Sequence, residues 1–186
     1  APGRLYGSCL VNPHFVDASL RAMELCFEQC GFVQLGEMLQ YMMDYEMNTD
    51  PVEALVRAAV AYGVPVQVHI STSNHKVNGV PTGTAQLRDL IGLAQRVPEA
   101  KYLLAHLIGQ PDDNPPVVDG YLDLIDDQYG EWPRNFWAEV RDFSSPGLRS
   151  AIDRVPADRL ICGTDWTTRL GPPFLPYGMI FNVPSV

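Results

Sequence analysis

Alternation constrains this chain more than any other feature. Short apolar runs at 5–11, 32–37, 64–69, 101–106, 135–140 and 159–164 are rich in β-branched and aromatic residues, as in strands covered on both faces. Segments with helical spacing separate these six runs. The clearest carries Val52, Leu55, Val56, Ala59 and Val60 as one apolar stripe. Asp50 is placed to cap it, Pro51 suits its first turn, Glu53 completes a capping-box pattern, and Gly63 can supply a left-handed end. Leu87, Leu90, Ile91 and Ala94 repeat the stripe before Pro98, and Val118, Tyr121, Leu122 and Ile125 repeat it before Gly130. A first helix is expected from about Val16 to Gln29, and a last one opening at Ser145-Pro146 and closing at Pro156.

Strand and helix in strict turn imply parallel strands with right-handed crossovers, which leaves an open doubly wound sheet or a (β/α) barrel. The strand ends favour the barrel. Pro65-Val66-Gln67-Val68-His69, Lys101-Tyr102-Leu103-Leu104-Ala105-His106 and Leu160-Ile161-Cys162-Gly163-Thr164-Asp165 each finish on a side chain able to bind a metal ion. In an open sheet such residues gather at one switch point, whereas a barrel mouth collects them from several strands. The fold class expected is therefore α/β, of the (β/α)8 TIM-barrel type. Two histidines and an aspartate at a barrel mouth suggest hydrolytic or lyase chemistry. No Gly-x-Gly-x-x-Gly follows the first strand and no Walker-type loop is present, so a nucleotide-binding reading lacks its main support. The longest loops, 71–83 with Asn74, His75 and Lys76 and 107–116 with Asp112, Asp113 and Asn114, fall on the ligand side, where lids and plain surface excursions are equally expected.

Composition narrows the partners. With 46% hydrophobic and 19% charged residues, the 186-residue chain reads as one globular domain spanning 1–186. A net charge of -9, with thirteen scattered basic residues, argues against nucleic acid or an anionic membrane and for a small-molecule substrate. No apolar run approaches the ~18 residues of a membrane span, and the first residues lack a signal-peptide layout. Cys9 and Cys162 lie in apolar strand runs, while Cys26 and Cys30 share a helix face, too few ligands for zinc and no disulfide frame. A cytoplasmic location is the default expectation.

Four segments, Val33-Gln34-Leu35-Gly36-Glu37, Val66-Gln67-Val68-His69, Ala105-His106-Leu107-Ile108-Gly109 and Cys162-Gly163-Thr164-Asp165-Trp166, carry a resemblance in residues and in order. The chain resembles the amidohydrolase superfamily, specifically the amidohydrolase-2 group that includes aminocarboxymuconate-semialdehyde decarboxylase. The resemblance implies strands four, five, six and eight of that barrel, with 5–13 as strand three. In that family strand one carries a His-x-His pair, and this sequence has none: its histidines are His14, His69, His75 and His106. A typical barrel needs about 250 residues. The expectation is an incomplete barrel of strands three to eight, truncated at both ends, whose outer strands keep unpaired edges and favour self-association. A homo-oligomer is left open.

The resemblance assigns roles, each with a plainer alternative. His69 becomes a metal ligand, or a buried histidine hydrogen-bonded to backbone. His106 binds a second metal, polarises substrate, or makes a structural hydrogen bond. Asp165 becomes both metal ligand and proton carrier, the alternative being a helix cap. Glu37 stands between metal ligation, as carboxylates on strand four do in some related barrels, substrate orientation and plain solvation. Arg141 could clamp a substrate carboxylate, although a surface ion pair is the stronger expectation. Trp166, with Trp132 and Trp137, could line a pocket for a planar acid or could simply pack. His14 and His75 are read as non-functional.

The function implied is a metal-dependent hydrolase acting on a small amide, ester or lactone, with zinc, or else manganese, as the divalent cofactor. Alternatives are a metal-dependent decarboxylase of a planar carboxylic acid and a non-catalytic barrel fragment or interaction domain.

Overall fold

The computed structural model describes residues 3, 5–71, 76–77, 80–81, 83–108, 115–141, 143 and 145–163. Six parallel strands form its main sheet: β1 (Ser8–Cys9), β2 (Gln34–Met38), β3 (Val66–His69), β6 (Tyr102–Ile108), β7 (Phe136–Val140) and β8 (Leu160–Cys162). A separate hairpin of β4 (Lys76–Val77) and β5 (Val80–Pro81) follows β3. The helices are α1 (Val16–Glu24), which continues into a π-turn at Leu25–Gln29, α2 (Gln40–Met43), α3 (Asp50–Ala61), α4 (Thr84–Arg96), α5 (Pro115–Tyr129) and α6 (Leu148–Arg154).

Strand order is β1-β2-β3-β6-β7-β8, so each new main-sheet strand adds to the same edge. Right-handed crossovers then put every helix on one face, because only a reversal of order would send helices to the other. That is the topology of a (β/α) barrel, here in part: six strands with β1 and β8 at the edges of the described sheet.

The helix side holds the dense core. Leu35, Val66, Val68, Tyr102, Leu104, Phe136 and Ala138 are all fully buried on it, against Val52, Leu55, Val56 and Ala59 of α3 and Leu87 and Leu90 of α4. Each buried valine, leucine or phenylalanine among them contributes roughly 1.5–3 kcal/mol by leaving water. The opposite face, the barrel interior, is half-open: Gln34, Gln67, His69, Leu103, Trp137 and Ile161 retain intermediate exposure. Gln34 donates to Gln67 Oε1 at 2.6 Å there. Two faces of one sheet thus divide between packing and solvent-accessible chemistry.

Several local expectations need correction. Thr49, not Asp50, precedes α3 as its N-cap, and no side chain caps the helix; Asp50 is its first residue and pairs with Arg96. Glu53 likewise turns to Arg57 at 2.7 Å, because two guanidinium groups nearby outcompete a backbone amide for the carboxylates. The 71–83 loop contains the β4–β5 hairpin. The last helix starts at Leu148 rather than at Ser145-Pro146. Cys162 is exposed, although it ends an apolar run. Among the described residues, no helix is long and apolar enough to cross a membrane.

Gly36 has a φ of +110°, and a Cβ there would sit 2.3 Å from the Gln67 carbonyl oxygen. Gly63 ends α3 with φ +72° but has nothing within 4 Å of a built Cβ. Gly36→Ala should therefore lower stability by about 2–4 kcal/mol, summing left-handed strain and overpacking, and Gly63→Ala by only about 1 kcal/mol. Urea midpoints of the two variants at equal m-value would check this; equal losses would refute it.

Candidate metal centre

Three side chains from adjacent strands converge at the carboxyl end of the sheet. One ligand atom each from Glu37, His69 and His106 lies within 4.8 Å of the others. Glu37 Oε1 is 2.8 Å from His69 Nδ1 and 3.1 Å from His106 Nε2. The two imidazole rings meet edge to face at 5.2 Å between centroids, and Tyr41 packs on His69 at 4.7 Å.

Simple alternation would not produce this cluster. Along β3, Val66 and Val68 face the helices, so Gln67 and His69 face the interior. On β2, Leu35 pairs with Val66 but Met38 pairs with Val68, an extra residue that puts Leu35 and Met38 on the same side although they are three apart. Glu37, next to Met38, is thereby delivered to the interior beside His69. On β6, His69 pairs with Ala105, and alternation would send His106 toward the helices. His106 instead adopts φ +62°, and the β6–β7 register shifts between Leu104 and Ile108. That left-handed turn costs about 1–2 kcal/mol for a residue with a side chain, and it swings the ring into the interior.

Neighbouring groups complete the setting. Burial opposes ionisation of Glu37, but hydrogen bonds and charge from His106 and His69 outweigh it and hold the carboxyl down at about 2. Glu37 is therefore an anion throughout the physiological range. Tyr45 is 8% exposed, and its hydroxyl has no hydrogen-bond partner among the described residues; burial and the Glu37 charge both push its pKa up. Gln40 donates to the His69 carbonyl at 3.4 Å. On β7, Glu139 accepts the His106 backbone N–H at 2.9 Å.

Of the residues singled out from sequence, the structure brings Glu37, His69 and His106 together. Asp165 and Trp166 lie outside the described residues, as does His75. Arg141, just after β7, is 3% exposed, which overturns its expected place at the surface; its backbone N–H bonds the Ile108 carbonyl. Trp132 is buried and donates to the Phe136 carbonyl at 2.9 Å, and Trp137 lies under the Arg159 guanidinium at 4.9 Å, so both have packing roles. His14 binds the Met43 and Asp44 carbonyls on the surface. Glu139 and Tyr45 were not singled out. The signal for Glu139 was an acid within the apolar run 135–140, two residues from Trp137 and so on its face; Tyr45 had none, since it lies between elements.

Two imidazoles and one ionised carboxylate at this spacing form a donor set suited to a divalent transition metal. The fit is chemical as well as spatial: an anionic oxygen is held between two nitrogens that become lone-pair donors when neutral.

Comparison with known proteins agrees with this fold. Among solved structures, 2,6-dihydroxybenzoate decarboxylase from Rhizobium superposes with a TM-score of 0.61 at 16% identity, covering 90% of this chain and 62% of that one. A 5-carboxyvanillate decarboxylase from Novosphingobium aromaticivorans, solved with manganese and a substituted nitrobenzoic acid, gives 0.58 at 17% identity over 87% of this chain and 55% of that one. The 4-oxalomesaconate hydratase of Rhodopseudomonas palustris gives 0.60 at 16% identity, over 95% and 52%. This chain thus spans about half to three fifths of the length of these proteins, and the likeness is one of fold. No curated protein matches it in sequence. A family model described as amidohydrolase matches residues 1–171, and on that match the chain belongs to the amidohydrolase family.

Proposed function

We propose that Glu37, His69 and His106 hold a divalent metal ion, zinc or manganese, and that the complete protein is a metal-dependent hydrolase of a small amide, ester or lactone. One observation carries the proposal: three donors of the right chemistry, from three neighbouring strands, within 4.8 Å. When bound, such an ion polarises a carbonyl and acidifies water.

The chain's own residues supply the rest. Glu37, ionised and held by two rings, brings the negative charge that partly neutralises a dication. His69 and His106 contribute neutral nitrogen donors, and His106, at the inner edge of the cluster, is also placed to stabilise oxyanion charge developing on a carbonyl. Asp165, which follows the Cys162-Gly163-Thr164 strand end, we assign as a further ligand of the ion and as proton carrier. Arg141 has the guanidinium fork to pair with a substrate carboxylate, and Trp166 follows Asp165 as a candidate wall for a planar group. The residues 1–186 act in this proposal as one domain.

A second reading is supported by the solved structures of similar fold, two of which are decarboxylases by name, one of them with manganese. In that version the same cluster grips a carboxylate-bearing substrate, and a proton reaches carbon before carbon dioxide leaves. A small acidic substrate suits Arg141 in either case.

Metal titration of the chain should show binding of zinc or manganese that weakens at least 10-fold in Glu37→Gln, His69→Ala and Asp165→Asn alike. Unchanged affinity in all three would sink the metal reading. Turnover separates the two reactions: opening of lactones or esters by the complete protein supports the hydrolase, and release of carbon dioxide from hydroxylated benzoates supports the lyase.

A further inference from the structure

Tyr41 is an aromatic side chain that stands against the cluster without belonging to it. Its ring centroid lies 4.7 Å from that of His69, with the two planes 50° apart. His69 faces the sheet interior, so a ring packed on it stands at that side as well. A ligand can reach this place from solvent: the Glu37 side chain is 23% exposed and that of His69 16%. Tyr41 is itself only half-buried.

The ring is also fixed in place. Tyr41 belongs to α2, which begins two residues after the last residue of β2, and both ends of this short helix are tied to other segments. At its start, Gln40 is 2% exposed and donates to the His69 carbonyl at 3.4 Å. At its end, His14 Nε2 donates to the Met43 and Asp44 carbonyls at 2.9 and 3.1 Å, and Asp44 closes the helix in a left-handed turn with φ +55°. A single helical turn does not hold itself, so these contacts from β3 and from the segment after β1 set where Tyr41 sits. A side chain ordered beforehand offers its ring to a ligand with little further loss of freedom.

From this geometry we propose that Tyr41 is a specificity-determining residue, whose ring forms one wall of the substrate site beside His69 and favours an acid carried on a flat, unsaturated group. The inference rests on the reading of Glu37, His69 and His106 as a metal centre, where the carboxylate of that acid would be held. One π face gains from offset or tilted stacking on another, and a puckered saturated ring of the same size has no such gain. Trp132 and Trp137, two of the three tryptophans considered for such a wall, are engaged elsewhere, with the Phe136 carbonyl and with Arg159. His14 acquires a part as well, as the residue that holds the far end of α2.

The test compares two acids by calorimetric titration of the full chain loaded with manganese. Benzoate is flat; cyclohexanecarboxylate has the same number of carbons and the same charge on a puckered ring. Wild type and Tyr41→Phe should bind benzoate about 3–10-fold more tightly than the saturated acid. Tyr41→Leu keeps an apolar side chain and removes the π face, and should bring that ratio close to one. Both affinities come from one preparation, so a variant that folds less well or holds less metal lowers them together and leaves the ratio in place. A ratio near one in the wild type, no benzoate binding at all, or an unchanged ratio in Tyr41→Leu would overturn the proposal. Manganese binding to the wild type is measured first and alone: its absence would overturn the metal reading, and the ratio in the metal-free chain would then decide the role of Tyr41 by the same outcomes.

Discussion

The candidate site depends on two breaks in β-sheet alternation. A parallel strand shows every second side chain to the helices, and in this sheet those positions are taken by residues fully buried in the core. His69 reaches the interior by ordinary alternation. Glu37 and His106 do so only because β2 carries an extra residue before Met38 and β6 turns left-handed at His106. Remove either irregularity and a charged or ionisable group is aimed at the apolar side, where the cost of burying it would exceed that of the turn. Gly36, with its positive φ and its close approach to the Gln67 carbonyl, is the backbone residue that the first break requires.

Electrostatics then follows from position. A carboxylate with side-chain exposure of 23% would by itself be driven toward its neutral form. Two imidazoles reverse that direction for Glu37, while the same charge acts on Tyr45 in the opposite sense and keeps its hydroxyl protonated. The pair of carboxylates on either side of His106, Glu37 at Nε2 and Glu139 at Nδ1, gives the two faces of that ring different partners on different strands.

Most of the architecture could be read from the sequence, and the reasons are physical. The six strand runs and the stripes of α3, α4 and α5 depend on apolar burial, which leaves a direct periodic trace; Val52, Leu55, Val56 and Ala59 are all buried as their spacing required. Strand ends identified His69 and His106 because polar residues survive on a buried strand only where it meets solvent. What could not be read depended on contacts between distant segments. Asp50 looked like a cap until Arg96, 46 residues away, claimed its carboxylate. Arg141 looked like a surface charge because no pattern records the pairing of its amide with Ile108. The turn at His106 is likewise invisible, since histidine carries no glycine-like signature for a positive φ, and Glu139 acquires meaning only through that turn.

The three donors sit on β2, β3 and β6, which are consecutive neighbours in the sheet. Their mutual spacing is therefore measured by the interstrand hydrogen-bond ladder, which sets adjacent strands about 4.8 Å apart, and not by how the barrel closes around them. A cluster gauged this way has no loop hinge through which to loosen. Its opening is tied to separation of β2, β3 and β6, which are interior strands of the described sheet, so loosening of the site is coupled to opening of the sheet itself.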